Sequence, residues 1–132
     1  MKSFKLLALG FFSVMFLAAT PAEPLTQNAS IQALYNAANR QRARYGLPVQ
    51  NLDENLCNIA QNWANNMAAR DVMYHGGGEQ IIGVGYANAE ACVQGWINSP
   101  GHRVWVLSRN GNCGFGMARS RSGRLYYAGV YR

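Results

Sequence analysis

Residues 88–108 read NAEACVQGWINSPGHRVWVLS, and the rest of the chain is best read outward from this stretch. Ala89, Cys92, Val93, Trp96 and Ile97 fall at i, i+3, i+4, i+7 and i+8. That spacing predicts a helix opening at Asn88 with this face buried. Asn98-Ser99-Pro100-Gly101 then stops it. The following segment, His102 to Ser108, carries Val104, Trp105, Val106 and Leu107, apolar enough for a short buried helical turn.

Upstream, Asn28 or Ser30 can cap a helix running to about Tyr45, with Ile31, Leu34, Tyr35 and Ala38 near one face. Gly46 and Pro48 end it. Arg40, Arg42 and Arg44 lie two apart, which scatters them around the helix and assigns all three to solvation. Asp53 opens a second helix to about Asp71, and Leu56, Ile59, Ala60, Trp63, Met67 and Ala68 form its buried face. Tyr74-His75-Gly76-Gly77-Gly78-Glu79 cannot be helical, since each glycine costs roughly 1 kcal/mol inside a helix. Gln80 to Tyr86 reads as a short strand. Cys113–Ala118 and Leu125–Tyr131 flank a Ser120-Arg121-Ser122-Gly123 turn and form a hairpin. Arg119, Arg121 and Arg124 around that turn read as a solvated cluster, and the aromatics Tyr74, Trp105, Tyr126 and Tyr127 as core. The elements together give a layered α+β domain with a small antiparallel sheet.

The chain has 132 residues and a formal charge of +6. Lys2 and Lys5 precede an apolar run from Leu6 to Leu17, and small residues follow, the pattern of a secretory signal peptide over residues 1–22. Cleavage is expected after Ala22, with Ala19 as the alternative. Residues 23–29 are then a short linker and 30–132 the domain. The run is too short to span a bilayer, so no transmembrane segment is expected. Without Lys2 and Lys5 the charge is +4, which suits an anionic envelope but falls below a dedicated nucleic-acid binder. Cys57, Cys92 and Cys113 allow one internal disulfide at most, and two readings stay open. Either Cys92 pairs with Cys113, or all three are reduced and buried.

His75 and His102 are the two histidines of the sequence, each beside glycine in a loop after a helix, and Glu79 lies four residues beyond His75. Glycine lets such side chains converge from separate loops. Two imidazoles and a carboxylate could hold a divalent metal weakly, or form a structural hydrogen-bonded network. The residues alone leave both readings open.

Asn39-x-x-Arg42-x-x-x-Gly46-Leu47-Pro48, Asp53-x-x-Leu56, Trp63-Ala64, Met67-Ala68, His75, Gly78-Glu79 and Trp96-Ile97-Asn98-Ser99-Pro100-Gly101-His102-Arg103 stand in an order that resembles the CAP superfamily. That superfamily comprises cysteine-rich secretory proteins, antigen 5, pathogenesis-related 1 proteins and bacterial SCP-like extracellular proteins. Cys113-Gly114-Phe115-Gly116-Met117 and Tyr126–Tyr131 are similar to its last two strands. The resemblance implies a three-layer α-β-α sandwich with a central cavity lined by two histidines and two acidic residues. His75, Glu79 and His102 match three of these. The second acidic position falls on Ser99, and Glu90 does not occupy it, which weakens any metal site.

Members of such a family include sterol or lipid binders, secreted toxins and defence factors, and occasional proteases, so no common reaction is implied. The expectation is a secreted or extracellular protein, with the periplasm or cell surface as alternatives. It is expected to be monomeric and non-enzymatic, with no catalytic residues. It would bind a small ligand, a lipid or sterol, or an envelope component in the His75, Glu79 and His102 cavity. These three residues are also the expected ligands of a weakly held divalent metal such as zinc. Nucleic acid is not an expected partner. The alternative is a secreted, protease-like hydrolase using the same cleft.

Overall fold

The computed structural model describes residues 2, 3, 5, 7–15, 17, 18 and 21–132. The expected leader includes Met1, Phe4, Leu6, Phe16, Ala19 and Thr20, so part of it, with the alternative cleavage point at Ala19, lies outside the described residues. Within that stretch, Leu7, Leu9, Phe11, Phe12, Val14, Met15 and Leu17 are exposed. Among the described residues no helix is long and apolar enough to cross a membrane.

The domain begins with a 3₁₀ turn, Leu25–Gln27, followed by helix α1, Ala29–Arg44. The Asn28 side chain caps α1 by accepting from Ser30 N and Ile31 N at 3.0 and 3.2 Å, which satisfies amides that have no partner within the helix. Strand β1 is only Asn51–Leu52. Helix α2, Glu54–Arg70, is capped by Asp53 accepting from Leu56 N at 2.9 Å. Glu54 in its first turn accepts from Leu25 N and Thr26 N at 2.7 and 2.9 Å, tying the 3₁₀ turn to α2. Strand β2 is Ile81–Val84, and helix α3, Ala89–Ile97, is capped by Asn88. Helix α4, Pro100–Val106, starts with proline at its first position, where a missing amide costs nothing. Strands β3, Asn112–Arg119, and β4, Leu125–Tyr131, close the chain.

The sheet order is β1-β3-β4-β2. The β3–β4 and β4–β2 pairs are antiparallel, with Phe115 opposite Gly129 and Ile82 opposite Ala128. The sheet is mixed rather than purely antiparallel, because β1 joins β3 in parallel through Asn51–Asn112 and Leu52–Cys113. Beyond so short a partner, the edge of β3 would be bare. The Gln61 side chain fills in for a strand there, donating to Met117 O at 2.8 Å and accepting from Met117 N at 3.1 Å.

Side-chain alternation along the strands builds two cores, one on each face. Phe115, Tyr127 and Tyr131 join Ile31, Leu34, Val93, Trp96 and Val106 of α1, α3 and α4. Tyr126, Ala128 and Val130 face the other way and pack with Leu56, Ala60 and Met67 of α2. The three-layer α-β-α sandwich expected from the sequence is therefore the fold. Met67, Val93, Trp96 and Ile97 are buried as expected. Trp96 also donates from Nε1 to Ile82 O at 3.0 Å, which joins α3 to the edge strand.

Three expectations need correction. Arg42 is not solvated: it is only 2% exposed, and it donates from Nε to Pro48 O and from Nη1 to Val106 O and Ser108 O, at 2.9, 3.1 and 2.6 Å. It holds the turn after α1 to the end of α4. Spacing around a helix shows where a side chain starts, and a long arginine stem can still carry its head group into a neighbouring loop. Cys92 and Cys113 do not pair, since all three cysteines are free and buried, the other reading left open by the sequence. Arg124 is not a free member of a solvated cluster. Its Nε donates to Asp71 Oδ1 at 3.1 Å, and the Tyr126 hydroxyl donates to the same oxygen at 2.7 Å.

Helix α2 lies on β3 with almost nothing between them. A Cβ built on Gly114 would stand 2.2 Å from the Leu56 carbonyl carbon, and one on Gly116 would stand 2.5 Å from Ala60 and Gln61 backbone atoms. Backbone cannot yield as a flexible side chain can, so Gly116→Ala is expected to destabilise the fold by about 3 kcal/mol, at the upper end of overpacking costs. Gly111→Ala meets nothing within 4 Å and serves as the control, with a change inside about 0.5 kcal/mol. Urea unfolding midpoints of the two variants check the difference.

Candidate functional site

The site starts from α2. Asp71 ends that helix in the left-handed region at φ 54°, turning the chain back across the helix surface. The returning segment is Tyr74–Glu79. Trp63, on the outer side of α2, donates from Nε1 to Tyr74 O at 2.8 Å, and its ring meets the Tyr74 ring edge-on at 4.7 Å. The glycines then cross the indole face. A Cβ on Gly77 would lie 2.3 Å from Trp63 Cε3, which explains why this position has no side chain. Trp63 is half-buried rather than fully in the core, and glycine backbone lies across its ring.

Laid flat in this way, the loop turns its amides toward Glu79. Gly76 N donates to Oε1 at 3.0 Å and Gly77 N to Oε2 at 2.8 Å. His75 Nδ1 approaches Oε1 at 3.0 Å. The Glu79 side chain is 1% exposed and that of His75 59% exposed. A carboxylate can only accept, so Nδ1 carries the proton and the neutral His75 ring keeps its lone pair on Nε2. The buried carboxylate fixes the tautomer and aim of an accessible imidazole.

His102 arrives from a different part of the chain, in the first turn of α4. Helix α4 packs against this end of the sheet, where Trp105 stacks with Tyr131 at 6.5 Å between ring centroids. The His102 ring is half-buried. Burial lowers its pKa, and the positive charge that His75 would carry lowers it further. His102 therefore lies within electrostatic reach of His75.

The structure therefore joins His75 to Glu79 directly and brings His102 into the field of His75. Among the described residues, no three His, Cys, Asp or Glu side chains are grouped closely enough to hold a metal ion. Among these residues, no third such side chain joins the pair formed by His75 and Glu79. The two Glu79 oxygens already take three N–H groups, so the carboxylate expected as a metal ligand acts as an anchor for the loop. Two imidazoles remain, whereas a protein zinc site uses three or four ligands. The donor set does not fit a resident zinc ion. Ser99, at the vacant acidic position, makes no side-chain cap, and its carbonyl accepts from His102 N and Arg103 N at 3.0 and 2.8 Å. Glu90 pairs with Arg40 on the surface.

Sequence reasoning missed the role of Trp63 as the floor of this loop. The signal was present in the triple glycine, since three residues without side chains in a row call for a surface pressed against them.

The model of the cysteine-rich secretory protein (CAP) family matches residues 35–131. A secreted protein of Candida albicans is 32% identical over 72 residues, which cover 53% of this chain and 20% of that protein. The match thus spans about a fifth of that relative's length. Among solved structures, an extracellular SCP-domain protein of Bacillus anthracis aligns with a TM-score of 0.59 and 21% identity, covering 86% of this chain and 45% of that one. An outer surface protein of Borrelia burgdorferi aligns with a TM-score of 0.58 and 14% identity, covering 76% and 92%. At such identities the likeness is one of fold.

Two outcomes are expected from this geometry. Gly77→Ala should lift the loop from Trp63, seen as a changed tryptophan emission maximum and loss of protection of the Gly76 and Gly77 amides in hydrogen exchange. The lowered pKa of His102 also has a sign. As pH falls through about 6.5, the unfolded chain binds a proton that the folded His102 resists. The stability this residue contributes is thus full above that pH and is lost on acidification. The urea midpoint of the wild type should fall further between pH 7.5 and 5.0 than that of His102→Gln, a window in which ordinary carboxylates stay ionised.

Proposed function

The chain belongs to the cysteine-rich secretory protein (CAP) family, and from that premise we propose that it is an exported, non-enzymatic domain that binds a small ligand in the cleft of His75, Glu79 and His102. The ligand class is a lipid or sterol, or a component of the cell envelope. One observation carries the reading: Glu79 is buried beneath a glycine loop and holds the exposed His75 ring in one tautomer. A ring so fixed presents a hydrogen-bond acceptor at Nε2 to a ligand hydroxyl. The half-buried His102, disfavoured as a cation, adds a second neutral imidazole able to donate and accept.

Export is supported by the basic and apolar start of the chain and by a relative named as secreted. Burial works against the hydrolase alternative, because it pushes the Cys57 thiol up to about 11 and Cys113 up to about 12, with Cys92 higher still. Such thiols stay protonated at neutral pH and make poor nucleophiles.

Titration with a fluorescent sterol, and in parallel with soluble peptidoglycan fragments, tests the cleft. Saturable binding of one of them should weaken at least tenfold, about 1.4 kcal/mol, in both His102→Ala and Glu79→Gln. Arg121→Ala, at the hairpin turn, should bind as the wild type does. Equal affinity across all four proteins, or no saturable binding of either probe, would remove the cleft from function. Zinc chloride added alone should bind no more tightly to the wild type than to Glu79→Gln, because Glu79 is not among the donors.

A further inference from the structure

A pocket of about 270 Å³ opens where the turn after α1 meets the segment before β3. Its lining includes Arg42, Gln50 and Arg109, with Leu47, Pro48 and Val49 as an apolar wall. None of the histidine-cleft residues is part of it. Two features of its polar groups are unusual together.

The first is an acceptor without a donor. Gln50 is 2% exposed, and its Nε2 donates to Asn110 O at 2.9 Å, which fixes which way the amide faces. The opposite atom, Oε1, is buried and has no hydrogen-bond partner. Leaving such a group unpaired forfeits its hydration, so native structures rarely do so without a water or ligand. The second is a cation without an anion. Arg42, equally buried, uses Nε and Nη1 on three carbonyl oxygens. Among the described residues its Nη2 takes no partner and no carboxylate pairs with it. Arg109, exposed at the rim, places a second positive charge over the same opening.

We propose that this pocket binds a small, hydroxyl-bearing oxyanion, whose acid group meets Arg42 and Arg109 and whose hydroxyl donates to Gln50 Oε1. Guanidinium groups are suited to carboxylate and phosphate alike. The volume lies just below the usual range for drug-sized ligands and matches a single sugar ring. Pro48, Leu47 and Val49 offer a surface for the C–H face of such a ring. The shared chemistry is therefore that of a sugar acid or a sugar phosphate. Neutral sugars lack the anion, and simple anions lack the donor that Gln50 Oε1 needs.

Isothermal titration of the full chain with D-glucuronate, D-glucose 1-phosphate, D-glucose and acetate separates these requirements. Glucuronate or glucose 1-phosphate should bind saturably, and whichever binds more tightly identifies the acid group; glucose and acetate should bind at least tenfold more weakly. Arg109→Ala, an exposed position that leaves the fold intact, should weaken binding about tenfold and reduce its salt dependence. Gln50→Glu keeps the size of the side chain while replacing the acceptor with a negative charge, and should abolish binding of the anion. In the wild type, the Gln50 side-chain amide resonances should shift on titration. The proposal fails if neither acid binds, if glucose binds as well as glucuronate, or if Arg109→Ala has unchanged affinity. It fails equally if Gln50 Oε1 proves to hold a water that saturating ligand does not displace.

Discussion

The absence of side chains at Gly114 and Gly116 is the constraint on which most of this structure depends. It lets α2 rest on β3 at backbone contact, too close for even one methyl group on the facing strand. Helix and sheet then have little freedom to slide, because each glycine is a notch matched to one stretch of helix backbone. Gln61, carried on the same helix, is brought beside Met117 and completes the strand edge there. The position of α2 sets the position of Trp63. Trp63 sets the path of the glycine loop, and that loop sets the orientation of Glu79 and His75. A packing decision on one face of the sheet thus reaches the candidate site through a continuous series of contacts.

Electrostatically, two carboxylates of the domain are each held by backbone donors. Glu54 takes two amides from the 3₁₀ turn, and these hydrogen bonds lower its pKa. Glu79 takes two amides and an imidazole. Each carboxylate organises a segment that has little core of its own, so charge substitutes for apolar burial where the chain is rich in glycine or short. Arg42 does the same with the opposite sign, collecting three carbonyls from the turn after α1 and from the end of α4.

The proposed histidine site and the Arg42 pocket would differ in what they ask of a ligand. In the proposed reading the histidine site would offer two imidazoles, with its carboxylate turned inward, and so would present acceptors and donors without a strong field. The pocket offers positive charge, an unpaired acceptor and an apolar wall. Their independence follows from the fold, since one depends on α2 and the loop over Trp63, and the other on the corner between α1 and β1.

Much of this was legible from local patterns. Helical spacing located the buried faces of α1, α2 and α3, because a 3.6-residue period maps directly onto one side of a helix. Asn28, Asp53 and Asn88 marked helix starts through the orphan amides that a short polar side chain can satisfy. Pairing of His75 with Glu79 was foreseeable as well, since both lie in one loop. What the sequence could not decide were relations between distant segments. Whether Arg42 points to water or to Val106 depends on where α4 lies, and whether Cys92 meets Cys113 depends on the register of α3 over β3. The parallel addition of β1 rests on two residue pairs, too short to leave a pattern. In sequence Glu79 reads equally as a metal ligand or as part of a hydrogen-bonded network, and in the fold it anchors a loop, because only the tertiary placement of Trp63 turns the glycine amides toward its carboxylate.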